Sequence, residues 1–149
     1  MPDSDEAPTD RSPTAARILD VAERLFQRRG YNAVSYADLA AELGLTTAAI
    51  HYHFPSKDDL GQAVVARYRR VNAKQRAAIR TETSALRARL QRYAELYAGV
   101  LADGGMCLCG VLAADEATLP VPVLPEVRGF FDDHTDWLTS YLARYTDGG

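Results

Sequence analysis

The sequence predicts an all-α protein, a three-helix unit built round a helix-turn-helix and followed by a second helical unit, and three observations carry that prediction. Apolar residues recur at spacings of three and four along nearly every segment, the period of one buried helix face. Small hydroxyl residues stand just ahead of those segments and glycines just behind them, where helix ends need capping. No stretch alternates apolar and polar residues as a half-buried strand does, and there is no internal repeat or low-complexity tract. With 149 residues, 47% of them hydrophobic, the chain can bury a core in one or two small units.

Residues 1–11, MPDSDEAPTDR, are acidic and Pro-bearing, and are expected to form a disordered tail. Ser12 as N-cap and Pro13 as the first helical residue open a helix with Ile18, Val21, Ala22, Leu25 and Phe26 on one face and Gly30 at its end. Ser35 and Asp38 have the spacing of a capping box at the head of a second, short helix that stops at Gly44. Thr46 caps a third helix, in which Ile50 and Phe54 fix one side inward and leave Ala48, His51 and Tyr52 on the other. Pro55 then stops it. Two short helices about one tight turn are the pattern of a helix-turn-helix, whose first helix crosses the nucleic-acid backbone and whose second enters the major groove. Small Ala48 permits close approach, and the polar-tipped rings of His51 and Tyr52 suit phosphates or base edges.

The run LAAELGLTTAAIHYHFPSKDDL resembles the N-terminal DNA-binding domain of the TetR family of bacterial transcriptional regulators, from about Thr14 to Val71 and most specifically in YHFPSK followed by an acidic residue. The resemblance implies that Thr47, Ala48, His51 and Tyr52 face DNA from the recognition helix, with Thr46 at its cap, and that Lys57 and the Ser35-Tyr36 helix start meet phosphates. Helix starts, hydroxyls and a lysine point charge suit that task. His53 has two readings, as phosphate ligand or as a boundary residue supporting Phe54. Arg11 and Arg17 likewise are backbone contacts or solvated surface charges. Many relatives have Thr in place of Ala49 and Tyr in place of His51, which leaves the operator sequence open.

As function, the resemblance implies a homodimeric repressor that holds double-stranded DNA at a near-palindromic operator and is released by an unknown small-molecule effector. No cofactor is expected. The family usually continues through two more long helices that form a four-helix bundle between subunits, whereas this sequence stops at Gly149. The alternative is therefore a truncated or heterodimerising interaction protein without autonomous repressor activity.

Net charge is only −3, which by itself argues against a polyanionic partner. Its distribution reverses that: residues 1–10 hold four acids and no base, residues 11–76 eleven bases against six acids, and the remainder six against ten. A basic unit joined to an acidic one is the asymmetry expected when only one of them meets phosphates. An acidic N-terminus, and no apolar run near the roughly 20 residues of a spanning helix, predict a cytoplasmic protein without a membrane span. Cys107 and Cys109 stand too close for easy disulfide geometry and are too few for structural zinc, so reduced thiols and no metal are expected. An enzyme is not expected from three histidines with no Gly-rich phosphate loop and no nucleophile elbow.

Ser56 and Asp59 repeat the capping-box spacing ahead of a longer helix running to Ile79. Leu60, Val64, Tyr68 and Val71 are expected as its buried stripe, and Arg67, Arg69, Arg70, Lys74 and Arg76 as a solvated face. By the resemblance this helix connects a DNA-binding domain at 12–56 to a shortened regulatory, ligand-binding domain at 57–149. Leu86, Leu90, Tyr93, Tyr97 and Val100 then form the stripe of a helix packed on one side, broken at Gly104-Gly105. A short helix in MCLCGVLAADEATLP ends near Pro120, and its Cys-Leu-Cys-Gly resembles a segment of one group of TetR regulatory domains. A last helix after Pro125 has Val127, Phe130, Phe131, His134, Leu138, Tyr141, Leu142 and Tyr145 in register and is expected to offer a self-association surface. Tyr93, Tyr97, Cys107, Trp137 and Tyr141 are candidates to line a small-molecule pocket, against the plainer reading of such aromatics as core. For Cys107 and Cys109 structural filling is preferred to thiol sensing, since no Arg, Lys or His adjoins them.

Overall fold

A computed structural model describes residues 12–146, without the side chains of residues 145 and 146. The expected tail at 1–11 with its Arg11, and the side chain of Tyr145, lie outside the described residues. The protein is all-α. Its helices are α1 (Pro13–Arg29), α2 (Tyr36–Leu43), α3 (Thr47–His53), α4 (Lys57–Glu82), α5 (Leu86–Ala102), α6 (Leu108–Ala114) and α7 (Leu124–Thr146), with a 3-10 turn at Glu116–Thr118.

The caps fall where the side chains dictate. Ser35 Oγ accepts from the Asp38 N–H at 3.2 Å while the Asp38 carboxylate accepts from the Ser35 N–H at 2.8 Å, so two orphan donors of α2 are satisfied at once. Ser56 and Asp59 do the same for α4, at 3.1 Å in both directions. Gly44 ends α2 in the left-handed conformation, φ 65° and ψ 32°. At 7 residues, α3 is far below the length of about 12 at which an isolated helix persists. Thr46, whose Oγ1 accepts from the Ala49 N–H, contributes about 1 kcal/mol as a cap. Burying Ile50 and Phe54 contributes about 1.5 to 3 kcal/mol each, so packing rather than capping holds α3.

The core is one continuous apolar cluster. Ile18, Leu19, Ala22 and Phe26 of α1, Leu60, Val64 and Val65 of α4, and Leu108, Cys109 and Leu112 of α6 all belong to it, and the three helices meet pairwise. Gly61 lets α4 approach closely here: a Cβ at that position would stand 2.8 Å from the Tyr31 ring and 3.0 Å from the Val123 side chain. The Tyr31 hydroxyl donates to the Lys57 carbonyl at 3.0 Å, and the Lys57 ammonium donates back to the Tyr31 carbonyl at 2.7 Å.

Several expected faces are corrected. Val71 is 46% exposed, and Asn72 and Arg76 are buried in its stead, because the stripe of α4 runs on in steps of four from Leu60 through Val64 and Tyr68. Of the expected solvated face Lys74 is exposed, whereas Arg67, Arg69 and Arg70 are half-buried and Arg76 is buried. Arg67 pairs with Asp20 at 2.8 Å and Glu23 at 3.3 Å on α1, and Arg69 pairs with Asp133 at 2.9 Å and Glu126 at 3.0 Å on α7. The stripe of α5 is only half covered, with none of its residues fully buried. Helix α7 starts at Leu124, with Pro125 accommodated in its first turn. Its register divides: Val127, Phe130, His134 and Tyr141 are buried, whereas Phe131 and Leu142 are 43% and 42% exposed.

Replacing Gly44 with valine tests the turn. No atom lies within 4 Å of a Cβ built there, so the cost is backbone strain alone, about 1 to 2 kcal/mol. Gly44→Val is expected to lower the melting temperature by roughly 3 to 8 °C. An unchanged melting curve by circular dichroism would show that the left-handed turn is not needed.

Candidate nucleic-acid interface and aromatic cluster

Packing of Ile50 against α2 turns the opposite side of α3 outward. Thr47, Ala48 and His51 are exposed, and Tyr52 is 83% exposed, the most open of the large apolar side chains. These four form one contiguous outward surface. The Tyr36 hydroxyl donates to the Phe54 carbonyl at 2.8 Å and its ring centroid lies 4.5 Å from that of His51, so Tyr36 braces the start of α2 against the end of α3. Burial and the nearby Asp59 and Asp58 push its phenol up to about 12, which keeps that donor protonated. Ser35 and Thr46 spend their hydroxyls on the caps already described. Lys57 is half-buried, with its ammonium on the Tyr31 carbonyl and 4.3 Å above the Tyr31 ring, and burial lowers its pKa. His53 is also half-buried, edge-on to Tyr52 with centroids 5.1 Å apart. Arg17 reaches the Leu43 carbonyl at 3.4 Å, beside the turn.

The candidate pocket residues divide. Tyr93, Tyr97, Trp137 and Tyr141 come together where α4, α5 and α7 meet: Tyr93 stacks on Trp137 at 5.2 Å, and Trp137 meets Tyr141 edge-on at 4.7 Å. Cys107 borders them, close enough to act on the Tyr93 and Tyr97 phenols, with its Sγ 3.9 Å from the Tyr68 hydroxyl, while burial pushes the Cys109 thiol up and keeps it protonated. At the centre of the cluster stand two residues whose place there was missed in the sequence, Arg76 and His134. Arg76 donates to His134 Nε2 at 3.0 Å. A guanidinium has no acceptor, so the imidazole carries its proton on Nδ1 and donates it to the Tyr93 hydroxyl at 2.8 Å. Tyr97 donates to Asn72 Oδ1 at 3.2 Å, and Asn72 donates to the Tyr68 carbonyl at 2.8 Å. The signal that could have found Arg76 is its spacing of four from Asn72, Tyr68 and Val64. Beside the cluster an open cleft of about 760 Å³ lies between α1, α4 and α5, with Asn72 and Tyr97 in its wall. Among the described residues, no group of three or more His, Cys, Asp or Glu could hold a metal ion, and no helix is long and apolar enough to cross a membrane.

A helix-turn-helix of α2 and α3, propped by α1 and followed by helices that enclose an aromatic cluster, defines a class of regulatory DNA-binding scaffold. Residues 18–64 match the sequence profile described as "Bacterial regulatory proteins, tetR family". The HTH-type transcriptional regulator TtgR of Pseudomonas putida is 42% identical over 52 residues, a stretch covering 35% of this chain and 25% of that protein. The match thus spans about a quarter of that curated relative. Among solved structures, a TetR transcriptional regulator from Legionella pneumophila superposes with a TM-score of 0.84 at 37% identity, over 89% of this chain and 73% of the other. A TetR-family regulator from Agrobacterium tumefaciens superposes at 0.83 with 38% identity, over 87% and 69%. The chain belongs to the TetR family of transcriptional regulators.

Burial and the charge of Arg76 hold the His134 imidazole down at about 4, partly opposed by Asp133. In the unfolded chain it takes a proton below about 6.5. Between those values the unfolded state binds the extra proton. This contribution to stability is therefore complete above about pH 6.5 and is lost as pH falls toward 4. Urea unfolding is expected to show this acid loss in the wild type and a flatter profile in His134→Gln. Parallel profiles would remove His134 as the cause.

Proposed function

We propose that this chain is a transcriptional repressor that holds a near-palindromic DNA operator as a homodimer and leaves it when a small-molecule effector occupies the helical region beyond α3. The observation that carries the reading is the outward surface of Thr47, Ala48, His51 and Tyr52, with Tyr52 83% exposed at the end of a helix held rigidly from behind. Residues 12–56 serve as the DNA-binding unit and 57–149 as the regulatory unit. Tyr52 and His51 reach bases or phosphates, Ala48 permits close approach, and Ser35, Tyr36, Thr46 and Lys57 hold and flank the phosphate-facing helix starts. His53 acts at the border as support for Tyr52.

Regulation follows from the 26 residues of α4, which form one helix. Its first turns share the core with α1, and its later turns carry Asn72 and Arg76 in the aromatic cluster. A displacement of the later turns is transmitted to α1 and α2 because a packed core shifts as a unit. For assembly, Phe131, Leu138 and Leu142 line one face of α7 at spacings of seven and four, and both Phe131 and Leu142 are exposed. That face supports a twofold pairing that sets two recognition helices on half-sites about one DNA turn apart.

Binding to duplex DNA is expected to fall steeply with salt, as counterion release requires. Tyr52→Ala is expected to cost about 1 to 3 kcal/mol in fluorescence anisotropy with little change in melting temperature. Lys57→Ala is expected to weaken binding and lower the melting temperature together, since the lysine also ties α4 to Tyr31. Equal DNA binding by wild type and the Tyr52→Ala/Lys57→Ala double variant would overturn the assignment. In sedimentation the wild type is expected to run as a dimer and Phe131→Glu as a monomer, with a loss of about 10² to 10⁴ in operator avidity. A wild-type monomer would sink the α7 pairing.

A further inference from the structure

We propose that the junction of α4, α5 and α7 binds a small organic carboxylate, with its anionic group on Arg76 and its flanks on the Tyr141 hydroxyl and the Trp137 indole N–H. This rests on the effector-release reading and names the chemical class of the effector.

Arg76 is 5% exposed, and its side chain makes one hydrogen bond, to the His134 imidazole at 3.0 Å. Among the described residues it forms no ion pair. Buried guanidinium groups are ordinarily matched by a carboxylate, because desolvation without a counter-charge is costly. Nor is one waiting nearby. Asp133, the acid of α7 that acts on His134, is engaged by Arg69 at 2.9 Å.

The second observation is independent. The Tyr141 hydroxyl and the Trp137 Nε1 are buried with no hydrogen-bond partner, in a protein whose other described buried side-chain polar atoms are satisfied. Both stand in the same cluster: Trp137 stacks on Tyr93, whose hydroxyl meets His134, and Tyr141 is 6% exposed. A guanidinium, an indole N–H and a phenol all have donors to offer, so the complementary ligand group is an acceptor with negative charge. The guanidinium groups of Arg89 and Arg80 lie 4.6 Å and 5.9 Å from the centre of the Tyr141 ring and add positive potential. The surrounding rings of Tyr93, Phe130 and Trp137 favour an apolar or aromatic body. The open cleft between α1, α4 and α5 reaches Asn72 and Tyr97, at the border of this cluster.

Trp137 is the chain's single tryptophan, so its emission reports on the site directly. The full chain is titrated with benzoate and phenylacetate, with neutral benzamide and cationic benzylamine as matched controls. Expected are a saturable change in emission and a higher melting temperature with a carboxylate at millimolar concentration, and neither with the controls. Tyr141→Phe removes only an unpartnered hydroxyl. It is expected to keep the ligand-free melting temperature and weaken carboxylate binding about tenfold. Arg76→Met is expected to abolish binding and, because it takes the Arg76 donor from the buried His134 Nε2, to lower the ligand-free melting temperature as well.

No response to either carboxylate, an equal response to benzamide or benzylamine, or undiminished binding by Tyr141→Phe would each overturn the proposal. Should Arg76→Met fail to fold, Tyr141→Phe decides alone. Release of a DNA duplex selected in vitro is measured separately. Carboxylate binding without DNA release leaves the anion site standing and removes the effector-release reading. Release by another compound, with no carboxylate bound, does the reverse.

Discussion

Burial of the first three turns of α4 between α1 and α6 is the constraint on which the other arrangements rest. Leu60, Val64 and Val65 are wholly buried there, each contributing on the order of 1.5 to 3 kcal/mol. Gly61 brings the helix close enough for Tyr31 and Val123 to touch its backbone from two sides. The reciprocal bonds between Tyr31 and Lys57 then fix the start of α4 against the α1–α2 connection. Since α3 is too short to persist alone, its orientation is inherited from this core through Ile50, Phe54 and Tyr36. A surface of four side chains is thereby presented, of which His51 alone is tied back, by its ring against Tyr36 and its Nδ1 on the Pro55 carbonyl.

The packing loosens along α4. Its early turns are enclosed by apolar side chains, and its later turns exchange these for Asn72 and Arg76 in a hydrogen-bonded network with Tyr93, Tyr97 and His134. Such networks are sensitive to a missing member, because a polar group left unpaired in low dielectric is costly. Helix α5 supplies two of the members but is itself only half covered. The helix with no fully buried residue thus contributes to the network that holds Arg76, and α4 joins that network to the core shared with α1.

Charge bears on the same point. The excess of bases in residues 11–76 suggests a broadly basic surface, yet Arg67 and Arg69 are paired with acids of α1 and α7 and Arg76 is buried. Arg24 is also engaged, by Glu42 at 2.8 Å. Much of the positive charge binds helices to one another. On the proposed reading, more of the recognition then falls to His51, Tyr52 and the helix starts than a count of charges implies.

The sequence by itself determined the helices and the family, since caps, stops and apolar spacing act over a few residues and are written locally. Ser12, Ser35, Thr46 and Ser56 cap as their side chains dictate, Gly44 turns left-handed, and the YHFPSK run carries the resemblance. It determined the outward set on α3 too, because two anchored residues on a short helix fix the direction of the rest. Only the tertiary structure decided which cations are internal, which face of α7 is covered, and that Arg76 and His134 meet. Those outcomes depend on what stands opposite each side chain, on helices 44 to 64 residues distant in the chain, and nothing local to Arg67, Arg69 or Arg76 distinguishes a solvated arginine from one held across the core.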